Sequence, residues 1–193
     1  MRRYSHLCLG QFLARRYIPG LSGGKLRAFL FGCVEPDHNP FTYCKGSFLC
    51  QWLRGHNYPN SRRFMAKLSR RLEQKDRWTL PDYYSLGKLI HYTADAFTYP
   101  HNVHFQGSLS LHREYEEQLQ LVFLKQLENP SLLPLREGQT VMAAISDLHR
   151  QYLRHPPSPE NDIRFILTAC CTIMATFKEF SPCQSSSTPH RKH

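Results

Sequence analysis

Apolar residues in this chain recur three and four positions apart, and the alternating apolar–polar stretches of a half-buried strand are nearly absent. That pattern leaves one architecture open, helices packed on helices. Phe64, Leu68 and Leu72 show the spacing on an otherwise basic segment. The longest apolar stretch, 165–177, has 13 residues between Arg164 and Lys178. It falls short of the ~20 residues that cross a bilayer and suits a buried helix, so no transmembrane segment is expected.

The spacing predicts helices over 5–17, 25–34, 61–74, 80–96, 108–127, 138–155 and 160–180. Pro36 is expected to stop the second, and Asn60-Ser61 to cap the third. Pro81 fits the first turn of the fourth. Residues 38–60 read as a loop with one short helix around 48–53. With 193 residues and 41% apolar content, one core of useful size is possible. The expectation is an all-α, single multi-helix domain over 1–181 and a polar, mobile tail over 182–193.

Lys and Arg outnumber Asp and Glu by 25 to 15, a net charge of +10. Such a surface favours anionic membrane, nucleic acid or phosphorylated substrates, and also serves solubility alone. Met1-Arg2-Arg3 resembles the start of a secretory signal, but His6, Gln11 and Arg15-Arg16 break the apolar stretch that should follow. A cytoplasmic location is therefore expected, with secretion by another route left open. The seven cysteines form no CxxC pair and read as reduced, mostly buried small apolar side chains.

Eleven histidines are many for this length, and their placement matters more than their number. His91 and Asp95 are four apart on one predicted helix, and so share a face; His112 and Glu116 repeat the arrangement on the next. His101, directly after Pro100, lies on the turn between them. Upstream, Asp37 follows Pro36 at a helix end, His56 lies in the 54–59 loop, and His6 sits on the first helix. Mixed imidazole and carboxylate donors suit zinc and leave room for a bound water. Hydrogen-bonded core histidines are the plain alternative; two such pairs bracketing a Pro-His turn favour the metal.

Taken in order, Ser5-His6-Leu7, Pro36-Asp37, His56, His91, Asp95, His101, His112 and Glu116 resemble the zinc-dependent phospholipases C of bacteria. Their superfamily is all-α and also holds single-strand-specific nucleases. The resemblance implies two or three zinc ions: one held by Asp37, His56, His91 and Asp95, a second by His101, His112 and Glu116. His6, with a bridging Asp95, would contribute to a third. In the family that third site is completed by an amino-terminal Trp; no Trp precedes His6, and Met1 is the residue that would substitute.

The activity implied is attack of zinc-activated water on the phosphorus of a phospholipid or related phosphodiester, with Asp37 as general base. Two other functions stay open: a single-strand-specific nuclease, and a non-catalytic, zinc-stabilised helical binder of anionic surfaces. Two aromatic positions of the choline-preferring enzymes are matched here by His38 and Leu53, so a quaternary-ammonium cage is expected to be depleted. Phe41, Tyr43, Tyr58, Phe97, Tyr99 and Phe105 read mainly as core, with stacking on bases or contact with acyl chains as the alternative. His38 reads as a loop histidine, His104 as a neighbour of the ligands, and His149 and His155 as residues of a solvent face.

Overall fold

The structure, a computed structural model, describes residues 1–42, 55–135 and 138–177. The expected helix at 48–53, Tyr43, Leu53 and the tail at 182–193 lie outside the described residues. Seven α-helices follow in order: α1 (Arg3–Tyr17), α2 (Gly23–His38), α3 (Tyr58–Glu73), α4 (Leu80–Ala96), α5 (Leu109–Gln126), α6 (Val141–Tyr152) and α7 (Pro159–Thr176). Two short 3-10 turns, Pro40–Thr42 and Tyr99–His101, complete the set, and there is no strand among the described residues. The fold is all-α, as the periodicity required.

The core forms around α4 and α7. Every residue from Phe165 to Met174 on α7 is buried, which is why the longest apolar stretch needs no membrane. Around it pack α1, α4, α5 and α6, while α4 meets α1, α2, α3 and α7.

The contact of α2 with α4 depends on two glycines. A methyl group on Gly32 would lie 2.2 Å from the Tyr84 carbonyl oxygen, and one on Gly87 would lie 2.2 Å from the Phe29 carbonyl oxygen. Neither approach tolerates a Cβ, so the two backbones touch directly. One to two turns beyond this crossing the helices carry Asp37, His91 and Asp95.

Three expectations need correction. Pro36 does not stop α2, which continues to His38. The missing N–H falls in the last turn, where one ladder bond is lost, and the Asn39 N–H still reaches the Glu35 carbonyl at 3.1 Å. Asp37 is therefore placed by a helix and not by a loop. On α3 the cap is Asn57, with Pro59 in the first turn; Ser61 is buried inside the helix and donates to the Asn57 carbonyl at 3.1 Å. On α6 the helix begins after Thr140, whose side chain accepts from the Ala143 N–H at 3.3 Å, because Gly138 takes a left-handed φ of 69°.

Candidate metal centre

Asp95 is the hub of the site, with its side chain 1% exposed. Its Oδ1 lies 2.8 Å from the Met1 amino nitrogen and 3.2 Å from His6 Nε2. Its Oδ2 lies 3.0 Å from His56 Nδ1 and 3.3 Å from His91 Nε2. Asp37 Oδ1 approaches His91 Nε2 at 3.6 Å and His56 Nδ1 at 3.7 Å. The helical step from His91 to Asp95 aims both side chains at one point, and α1 brings His6 onto it with its ring stacked on His91 at 3.9 Å.

Two sets of donors come together. One atom each from His6, Asp37, His91 and Asp95 lies within 4.8 Å of the others, and the same holds for His101, His112 and Glu116. Glu116 Oε1 is 3.2 Å from both His101 Nε2 and His112 Nε2. The Met1 nitrogen joins the sets, 2.9 Å from Glu116 and 2.8 Å from Asp95. All eight residues singled out in the sequence thus meet in one region. His6 falls among the donors of the first set, with its ring stacked on that of His91.

The outer nitrogens decide what the inner ones offer. His91 Nδ1 donates to the Cys33 carbonyl at 2.9 Å, so Nε2 faces the site with a lone pair. Thr42 Oγ1 gives its hydrogen to the carbonyl of Pro36 or of Asn39, and so accepts from His56 Nε2 at 3.0 Å. His56 Nδ1 then also presents a lone pair, 3.3 Å from His91 Nε2. Two such nitrogens facing each other beside a carboxylate can share a proton or hold a metal ion between them. The donor set of imidazoles and carboxylates matches zinc, and the outer hydrogen bonds are those that orient zinc-binding histidines. His6 departs from this rule, since its buried Nδ1 has no hydrogen-bond partner.

Charges in the site follow the same logic. Burial would lower the Met1 ammonium, but Asp95, Glu116 and Asp37 outweigh it and raise its pKa to about 11. Burial raises both Asp95 and Glu116, yet each is held well below the usual carboxylate range. The Met1 ammonium and His101 hold both down, with His91 acting on Asp95 and His112 on Glu116. His6 is lowered to about 4 by burial and by neighbouring His91. His91 goes up despite burial, because Asp95 and Asp37 face it. The ammonium between two carboxylates already occupies the place of a cation.

Other residues sort more simply. His149 is not on a solvent face: α6 turns it inward, its Nε2 donates to Asn102 Oδ1 at 2.9 Å, and its ring stacks on Tyr58 at 3.8 Å. His155 and His104 are exposed, and so is His38, which ends α2 and is not a loop residue. Phe97 is fully buried core, whereas Phe41 is 81% exposed. Tyr99, Phe105 and Tyr115 line an open groove of about 550 Å³, with the Phe105 ring 5.9 Å from that of His112. On α3, Arg62, Arg63, Lys67 and Arg70 are exposed to solvent, and Arg71 is tied to Asp82 at 2.9 Å.

The resemblance offered Met1 for the centre, but sequence spacing did not reveal Thr42 or the Cys33 carbonyl, because each meets its partner across the fold or through the backbone. Comparison with known proteins gives one match. A family model described as zinc-dependent phospholipase C covers residues 5–171. No curated protein and no solved structure matches the chain.

Proposed function

Since the chain belongs to the zinc-dependent phospholipase C family, we propose that it hydrolyses a phosphodiester, with a phospholipid as substrate, at a centre of two or three zinc ions. The observation that carries this reading is the convergence of eight ligand-type residues in one region, with the buried carboxylate of Asp95 as its hub. In this reading Asp37, His56, His91 and Asp95 serve one ion, and His101, His112 and Glu116 a second. His6, Asp95 and a deprotonated Met1 amine serve a third. A structural zinc needs four ligands, and this centre offers twice that number.

Bound zinc supplies an acidified water at neutral pH, with a pKa lowered from ~15.7 toward ~7, and positive charge facing the diester. Three carboxylates, on Asp37, Asp95 and Glu116, do not neutralise two or three divalent ions, so the centre keeps an attraction for an anionic diester. Asp95 is closed off, with both oxygens engaged by histidines. Asp37 keeps 18% of its side chain exposed, so its carboxylate can take a proton from an incoming water. The groove of Tyr99, Phe105 and Tyr115 beside His112 offers a half-apolar wall for the leaving diacylglycerol.

The test pairs metal analysis with turnover. Purified protein should carry two or three zinc ions per chain and release phosphorylated headgroup from phospholipid vesicles. His91→Ala and His112→Ala should each lower turnover by more than the ~10–100-fold typical of groups that merely support a ligand. Nucleotide release without headgroup release would transfer the reading to a nuclease. Zinc binding without turnover of any phosphodiester would transfer it to a non-catalytic binder, and full activity in both variants would remove the assigned centre.

A further inference from the structure

Asp162 lies in the first turn of α7, fully buried and outside both ligand sets. Its Oδ2 accepts from the Tyr99 backbone N–H at 2.8 Å and from the Tyr115 hydroxyl at 2.9 Å. Its Oδ1 accepts from the Tyr152 hydroxyl at 2.7 Å. The first two donors each sit beside a ligand. Tyr99 opens the turn Tyr99–His101 that ends on His101, and Tyr115 immediately precedes Glu116 on α5. Neither the turn nor the solvent-facing side of α5 has a glycine crossing to hold it.

The turn is also fixed from its far end. Asn102 donates to the carbonyls of Ala96 and Thr98 at 3.1 and 2.9 Å, and accepts from His149. Asn102 secures the turn, but Asp162 ties the turn and α5 to one atom. A buried carboxylate carries a desolvation cost that a neutral residue would avoid. It is retained here where three donors converge, and an amide would offer only one acceptor oxygen.

We infer that Asp162 is a positioning residue that sets the separation of His101 and Glu116 through Tyr99 and Tyr115. The inference rests on the zinc reading above. Tyr152→Phe removes a donor from the same carboxylate without touching a ligand-bearing segment, and so serves as the control for Tyr115→Phe.

The experiment is a stepwise zinc competition titration of the full chain, run beside thermal unfolding. In Tyr115→Phe, at least one zinc equivalent should bind ~10–100-fold more weakly while the others keep their affinity. Tyr152→Phe should lower the melting temperature by a comparable amount and leave every zinc affinity within about twofold, roughly 0.4 kcal/mol. Asp162→Asn should weaken the same equivalent as Tyr115→Phe, and the double variant should lose less than the product of the two singles. Unchanged affinity in Tyr115→Phe, or equal losses in Tyr115→Phe and Tyr152→Phe, would overturn the inference and leave the zinc reading standing. A wild-type chain that binds no zinc would overturn both.

Discussion

His6, His91 and Asp95 are sealed inside the helix pack, whereas His112 and Glu116 keep 26% and 16% of their side chains in solvent. The first set is carried by three ligand residues on α2 and α4, with His6 added from α1; the second spans a short turn and one face of α5. Precision in the first comes from backbone against backbone, at Gly32 and Gly87. In the second it comes from hydrogen bonds to a buried carboxylate. A set built the first way is inseparable from the fold, while one built the second way can loosen alone.

The largest effect is expected where the first set meets the fold. In Gly87→Ala the new methyl group would lie 2.2 Å from the Phe29 carbonyl and 2.7 Å from the Cys33 nitrogen, both backbone atoms. Alanine returns at most ~1 kcal/mol of helix propensity, against an overpacking cost of 1–3 kcal/mol or more when helices must separate. Net destabilisation of about 2 kcal/mol is expected by chemical denaturation, with weaker zinc binding because the Cys33 carbonyl moves off His91. Wild-type stability in this variant would show that α2 and α4 do not touch as described.

A smaller and more local effect is expected at Thr42. Thr42→Val keeps the shape and removes the hydroxyl acceptor that orients His56 Nε2. Zinc affinity at the first set should fall ~10–100-fold, with the second set unchanged in the same titration. An equal fall in both sets would mean that they are one cooperative unit and that the contrast drawn above is wrong.

These contrasts also mark what the sequence could reveal. His91 with Asp95 and His112 with Glu116 are legible because a helix turns a four-residue step into a shared face. The apolar stretch on α7 was equally plain, since periodicity and length both belong to local structure. Met1 came only from the family resemblance, since 94 residues separate it from Asp95 in the chain. Asp162 was not legible at all, its bonds spanning 63, 47 and 10 residues to Tyr99, Tyr115 and Tyr152. Pro36 misled for a different reason: its rule holds for helix interiors, and here it stands in a last turn. His149 misled because the inward face of α6 is set by packing against its neighbours, which spacing alone does not orient.

The smallest effect is expected at the other end of α4, and it asks whether stability alone can disturb the ligands. Asp82, fully buried, accepts from the Thr79 N–H at 2.9 Å, the Thr79 hydroxyl at 2.6 Å, Lys75 at 2.7 Å and Arg71 at 2.9 Å. Burial pushes its pKa up, but Lys75, Thr79 and Arg71 outweigh it and hold the carboxyl well below the usual carboxylate range. The folded pKa is thus below the unfolded value of ~3.9, so the stabilisation is complete above that value and is lost as pH falls through the folded one. Lys75 and Arg71 stay partly solvated at 33% and 49% exposure, which limits what they lose when the charge goes. Asp82→Asn should therefore cost about 1–2 kcal/mol at pH 7, seen as a lower melting temperature. The gap to wild type should narrow below about pH 4. Zinc affinity at both sets should stay within about twofold, because the bonds lost lie more than two turns from His91. If zinc affinity at either set fell along with the melting temperature, geometry at that set would follow global stability, and the local supports at Thr42 and Asp162 would not be what holds the ligands.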